Sequence, residues 1–432
     1  MQGLLSTRGL DGPEPHPKPY CIVYPFPMRI AAITVLLAIS SVAQAQVLES
    51  KTFSTAGHPT EAMATPDGKY VLVTVNIESG HSTSSGIEIF AVDGDKLKKV
   101  AIQPLSDKED AQGILLLPGS KPEMLAVGLS DAGVVFLPLA ETLTGKAKVQ
   151  VLPQGEQSGT GYLAVSPDGQ FLFAANEYGD HGNIGVIGLQ RDASGAIHPA
   201  TLGQIRTPNT TPGITISPDG TRVYTESEVI SPDAAQRLHG VGIPELQHDG
   251  CKQGVASPAR PNGALFVIDA AKAEAITPGM TPQETHKAVQ IVVDSGCSPV
   301  RTAVSPDGAL VYVTARGDDK VLVFDTRLLE SDPAKAFLRA FPSGGSAPIG
   351  LHLFDGGRKL LVANSDRFSP TKLGNAAVFD VSNLSASNPA APTLLQTIKT
   401  GQFPRNITAS PDAKTLFLTV YTGNELMVLK EK

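Results

Sequence analysis

The chain has 432 residues, with 35 lysines and arginines against 42 aspartates and glutamates, 42 glycines, 34 prolines and no tryptophan. A formal charge of −7 argues against nucleic-acid binding, which calls for a basic patch. So much glycine and proline implies many turns, which suits short strands better than long helices.

Residues 1–27 are proline-rich and precede Met28, so they read as an extension outside the functional protein. Residues 28–45, MRIAAITVLLAISSVAQA, hold one basic residue, Arg29, then an apolar run from Ile30 to Ile39. They end in Ala43-Gln44-Ala45, a small-x-small cleavage site, and the whole has the layout of a secretory signal peptide. The apolar run is shorter than the roughly 20 residues a membrane span needs. The mature protein, 46–432, is therefore expected in the periplasm or outside the cell, with no membrane span after cleavage.

Next comes VLESKTFST (47–55), a strand-like segment with no hairpin partner nearby. A unit then recurs seven times: a β-prone run, a Ser-Pro-Asp-Gly-like turn, and a second β-prone run. Its copies are AMATPDGKYVLVTV (62–75), ILLLPGSKPEMLAVGL (114–129), LAVSPDGQFLFAAN (163–176) and ITISPDGTRVYTES (214–227). They continue with TAVSPDGALVYVTA (302–315), LHLFDGGRKLLVAN (351–364) and ITASPDAKTLFLTV (407–420). Proline presets φ in the turn, aspartate bonds nearby backbone, and glycine takes a positive φ. The flanking runs are rich in Val, Ile, Leu, Tyr, Phe and Thr, the strand formers.

Two more apolar runs follow most hairpins, such as KVLVFDT (320–326) and AFLRAFP (336–342). Four strands per roughly 50-residue repeat is the unit of a β-propeller blade. The seventh repeat stops at its third strand, NELMVLK (424–430). The segment 47–55 supplies the missing fourth, so the expected fold is an all-β seven-bladed propeller closed by its N-terminal strand.

The repeated S-P-D-G with VYVT-like and FAAN-like strands resembles the YVTN-type repeat family and the wider group of lactonase-like seven-bladed propellers. The resemblance covers about residues 47–430. It implies a site at the channel mouth, on the face opposite the S-P-D-G turns. It also implies catalysis by arginine, glutamate and histidine, for which AANEYG with Glu177, TARGDDKVLVF with Arg316 and FPRN with Arg405 look similar to family fragments.

The repeat alignment puts two sets of loops at that mouth: those leading into each inner strand, and those joining second to third strands. They carry His58, Glu61, Glu177, His181, Glu228, Arg301, Arg316, His352, Arg367 and Arg405. Glu177, His181, Arg316 and Arg405 are the catalytic candidates. His58, Glu61, Arg301 and His352 are the ligand-binding candidates. Carboxylate, imidazole and guanidinium together can hold an anionic or polyhydroxyl ligand or run acid–base chemistry.

Segment 228–263 is a long Pro- and Gly-rich insertion, of the kind that forms a functional lid. Cys251 lies in it and Cys297 opens the next lead-in loop, on the same face of adjacent strands. An even pair of cysteines in an exported protein reads as a disulfide, which would pin the insertion to the rim. His239, His248, Asp249 and Cys251 fit no standard zinc spacing, so no metal is expected. No nucleophile elbow, H-E-x-x-H, P-loop or dinucleotide fingerprint is present, so no cofactor is expected either. The sequence thus points to a monomeric propeller binding a small molecule or a partner protein, or to a hydrolase of small lactones.

Overall fold

The computed structural model describes residues 47–432 except 81, 178–181, 208–209, 230–250, 252–261, 370 and 372. They form seven four-stranded antiparallel sheets arranged as the blades of an all-β propeller. The inner strands, blade 1 to blade 7, are His58–Ala64, Ala111–Leu117, Thr160–Val165, Ile214–Ile216, Pro299–Val304, Pro348–Phe354 and Pro404–Ala409.

The last blade is completed by the first strand. Leu48–Ser54 pairs antiparallel with Glu425–Glu431, from Leu48 opposite Glu431 to Ser54 opposite Glu425. Without it the strand 425–431 would present an unpaired edge, the usual template for aggregation.

The hairpin turns are built by their own side chains. In blade 3, Ser166 Oγ donates to Asp168 Oδ1 (2.6 Å), which also accepts from the Gln170 N–H (2.9 Å). The Phe171 N–H donates back to Ser166 Oγ (3.0 Å). The same exchange recurs at Ser217 with Asp219, Ser305 with Asp307, Ser410 with Asp412 and, with threonine, at Thr65 with Asp67. Each turn needs a positive φ at its fourth residue, which glycine supplies at Gly169 and Gly308; blade 7 places Ala413 there at φ 56°.

Between blades, side chains of facing sheets interlock, as Tyr312 and Val323 do with Leu360 and Val362. Burying one such side chain is worth about 1.5–3 kcal/mol. Threonines stitch neighbouring blades: Thr74 Oγ1 donates to the Gln112 carbonyl (2.7 Å), Thr314 to Ile349 (2.8 Å) and Thr419 to Thr60 (3.1 Å).

One detail differs from the sequence expectation. The long interval between the fourth and fifth hairpins holds more than the insertion 228–263. A second part is a helical segment between the third and fourth strands of blade 4, with helices Ala270–Glu274 and Pro282–Thr285. Asp269 caps the first and a Thr281/Glu284 capping box starts the second, both local signals in the sequence.

Candidate functional site

Six inner strands break register at the mouth end, for example between Pro59 and Ala62, between Thr160 and Leu163, and between Pro404 and Ile407. A bulge bends its strand and re-aims the side chains beside it. The residue just before each ladder resumes, or its equivalent, forms one tier: Glu61, Gly113, Tyr162, Gly213, Arg301, Gly350 and Asn406. Backbone geometry repeats around this tier, while three of its seven members are glycine and the other four each carry a different side chain.

Glu61, Tyr162, Arg301 and Asn406 line a channel cavity of about 310 Å³, with Ile214, Thr302, Leu351 and His352. Glu61 Oε2 accepts from the Ile114 N–H (2.7 Å) and Oε1 from Asn406 Nδ2 (2.9 Å). The glycine at 113 makes this possible, since a Cβ there would stand 3.0 Å from Glu61 Oε2. Burial lifts the Glu61 carboxyl to about 7, against the pull of these hydrogen bonds and of Arg301 and Arg405.

The Arg301 guanidinium lies 3.7 Å from the centre of the Tyr162 ring, a close cation–π contact. Its Nη1 donates to the carbonyls of Pro212 and Val300. Arg405 Nη2 donates to Gln112 Oε1 (2.7 Å), and the guanidinium stands 5.1 Å from the Tyr421 ring. Burial works to lower Arg405, but Tyr162, Tyr421 and Glu177 outweigh it and keep the cation firmly charged. The Glu177 backbone N–H is fixed by the Gly159 carbonyl (3.1 Å). His58 stacks on Tyr421 at 4.8 Å and contacts its carbonyl through Nδ1 (2.9 Å).

Arg301 and Arg405, from blades 5 and 7, thus act on Glu61 of blade 1, and Glu177 of blade 3 acts on Arg405, while His58 packs on the Tyr421 ring that Arg405 also approaches. His352 lines the same cavity from blade 6, and burial lowers its imidazole to about 4, so it is neutral at pH 7. Arg316 is placed differently. It is buried against Glu228 in an ion pair and lies 5.7 Å from the Phe368 ring, on the rim near the disulfide. Its charge serves the joint between blades 4 and 5. His181 lies outside the described residues.

Cys251 and Cys297 are joined by a disulfide, with Cα atoms 5.2 Å apart. Most of the insertion that carries Cys251, 230–250 and 252–261, lies outside the described residues.

Sequence reasoning missed Glu226. It is fully buried in the second strand of blade 4, and burial lifts its carboxyl to about 7 against the pull of Arg301. A Cβ on Gly213 would stand 2.6 Å from Glu226 Oε2 and 3.2 Å from Arg301 Cδ, so that glycine admits the pair. The signal was there: RVYTES is the second-strand run with a carboxylate inside it, where the equivalents read FLFAAN, LVYVTA and TLFLTV. Tyr162, Gln112 and Asn406 were also missed, because only the bulge aims them at the channel, and so was Tyr421, in the loop after the second strand of blade 7.

The chain matches no protein-family model and no curated protein sequence. Among solved structures it is similar to a chain of the hydrazine synthase of Kuenenia stuttgartiensis, at 15% identity and a TM-score of 0.57, covering 88% of this chain and 96% of that one. It is also similar to a chain in the crystal structure of the mitotic checkpoint complex, at 12% identity and a TM-score of 0.56, covering 88% and 90%. The likeness is one of fold. Propellers of this architecture serve unrelated purposes, so function has to be argued from the site.

Proposed function

We propose that this chain is an exported propeller of the YVTN/lactonase-like kind whose channel mouth binds a small ligand. The observation that carries the reading is the convergence of Glu61, Tyr162, Arg301 and Asn406 on one cavity of about 310 Å³, with the Arg405 charge acting on Glu61 from beside it. That volume suits a ligand of a few to a dozen non-hydrogen atoms, at the small end of binding pockets. Export rests on the signal-like segment 28–45 and on the residues 1–27 lying outside the working protein. The disulfide supports it, since such bonds persist in oxidising compartments. Among the described residues no helix is long and apolar enough to cross a membrane.

A second reading, hydrolysis of small lactones, is favoured by the Glu61 carboxyl at about 7 beside two guanidinium groups. A carboxylate tuned there can accept a proton from water at neutral pH, while Arg301 or Arg405 steadies the developing oxyanion. Glu177 and His181 are the other candidate bases.

The mature protein, 46–432, screened by thermal shift against small metabolite-sized compounds and by turnover against simple lactones, separates the two. Binding lost in Arg405→Ala, with no turnover, supports the ligand-binding reading. Turnover that falls by at least about 100-fold in Glu61→Gln or Glu177→Gln, and in Arg405→Ala, establishes the hydrolase. A channel that binds nothing and turns over nothing sinks both.

A further inference from the structure

Glu226 has no role in the contacts described so far. It has no exposed surface, and neither carboxylate oxygen has a hydrogen-bond partner among the described residues. Thr302 stands beside it with its hydroxyl outside hydrogen-bonding geometry. Arg301, from the inner strand of blade 5, is the charged group that faces it. Leu265, its partner in the sheet, and Gly213, beside its carboxylate, carry no charge. Across Arg301 lie Glu61 and, beyond it, Arg405; His352 and Tyr162 line the cavity from blades 6 and 3.

A buried carboxylate without hydrogen bonds is biased toward its neutral form, because ionising it there forfeits hydration that the charge of Arg301 only partly offsets. Glu61 has committed both oxygens, to Ile114 and Asn406. Arg301 has committed Nη1 to two carbonyls, its Nε is buried, and its Nη2 makes no hydrogen bond to a described residue. The uncommitted group on the channel floor is therefore a guanidinium, backed by a neutral acid. That arrangement attracts an anion.

We propose that the channel floor is a subsite for the carboxylate of a small organic anion held on Arg301, and that Glu226, behind Arg301 in the wall, is a positioning residue whose proton sets how tightly that anion binds. With Glu226 neutral, the full charge of Arg301 faces the cavity. When Glu226 loses its proton, a negative charge appears beside the guanidinium, competes for it and weakens the ligand's hold. Binding and protonation are thereby linked: each anion bound above neutral pH draws in a proton at Glu226. The carboxyl at about 7 puts this exchange within the physiological range. The inference rests on the channel being a ligand site.

The test is calorimetric titration of the mature protein with acetate, lactate and succinate, and with glycerol as a neutral control, from about pH 5.5 to about pH 8.5. At least one anion is expected to bind, glycerol is not, and anion affinity is expected to fall by up to about tenfold per pH unit above neutrality. Glu226→Gln, which is isosteric and uncharged, keeps the binding and makes the pH profile shallower, the slope that remains belonging to Glu61. Arg301→Met abolishes binding, and Arg301→Lys restores part of it. A wild-type pH profile unchanged in Glu226→Gln overturns the proposal, as does anion binding that survives Arg301→Met. Glycerol binding without any anion binding also overturns it, yet leaves the channel a ligand site. If no probe binds, the anion subsite falls, and the wider compound screen alone decides whether the channel takes a ligand.

Discussion

The two ends of each inner strand obey different rules. At the turn end, a serine or threonine and an aspartate make the same exchange in five blades. At the mouth end, the backbone repeats its bulge but the side chains run from Glu61 and Tyr162 to Arg301 and Asn406. Repetition at the turns serves folding, since each hairpin needs the same local geometry. Variety at the mouth has no folding purpose of that kind, and several of its members are costly to bury. The contrast assigns stability to one face and chemistry to the other.

The largest test of that division is the disulfide. Cys251 and Cys297 are 46 positions apart, and reduction or Cys297→Ser is expected to lower stability by up to about 4 kcal/mol through the freed unfolded chain. Denaturant unfolding with and without reductant reads it. Equal midpoints would show that the mouth needs no such tether.

Next comes pH, where the two ends have opposite slopes. Glu61 and Glu226 are raised by burial from 4.5 to about 7. Their contribution to stability is full below about 4.5 and is lost as pH rises to about 7, by at most about 3 kcal/mol each. The turn aspartates 168, 219 and 307 are held below the ordinary carboxylate value, first by the serine hydroxyl of each turn. Their contribution is present above about 3.8 and is lost as pH falls through their lowered values. His352 sides with the turns: its contribution is present above 6.5 and is lost as pH falls through about 4. Unfolding curves for wild type and Glu226→Gln should therefore separate steadily between about pH 4.5 and about pH 7, the variant gaining. Parallel curves would show that Glu226 is ionised throughout.

Gly213→Ala follows, at about 2 kcal/mol of destabilisation, because its Cβ would meet Glu226 Oε2 at 2.6 Å and the Val300 carbonyl at 2.8 Å. Ligand binding at Arg301 should weaken with it, whereas a turn variant should leave binding alone. The smallest effect is a gain at the turn face. Ala413 holds a positive φ of 56° where sister turns have glycine, so Ala413→Gly should raise stability by up to about 1 kcal/mol in thermal unfolding. No gain there would show that the seventh turn is unstrained.

Much of the architecture was legible from the sequence for the reason the turns illustrate. Ser-Pro-Asp-Gly carries its geometry in four adjacent residues, so counting turns counted blades, and the orphan strand at 47–55 found its place by elimination. The disulfide was legible because repeat position put Cys251 and Cys297 side by side. The site was legible only in part. Glu61, Arg301 and Arg405 stood where a strand begins, but the bulge that turns Tyr162 and Asn406 inward has no sequence signature. Arg316 stood in a matching loop, yet its partner Glu228 comes from the rim of the preceding blade, a long-range pairing that spacing cannot show. Glu226 was hidden inside a strand, read as a hairpin residue rather than as a buried acid.

The pairing of residues 48–54 with 425–431 has a kinetic consequence. The first strand of the propeller to be made waits for the last, so this contact spans nearly the whole propeller. Contacts of such sequence separation are slow to form. Blades 1 to 6 can assemble as local hairpins long before the circle is complete, and the final docking of the two termini is the step at which a partly built ring becomes a native one.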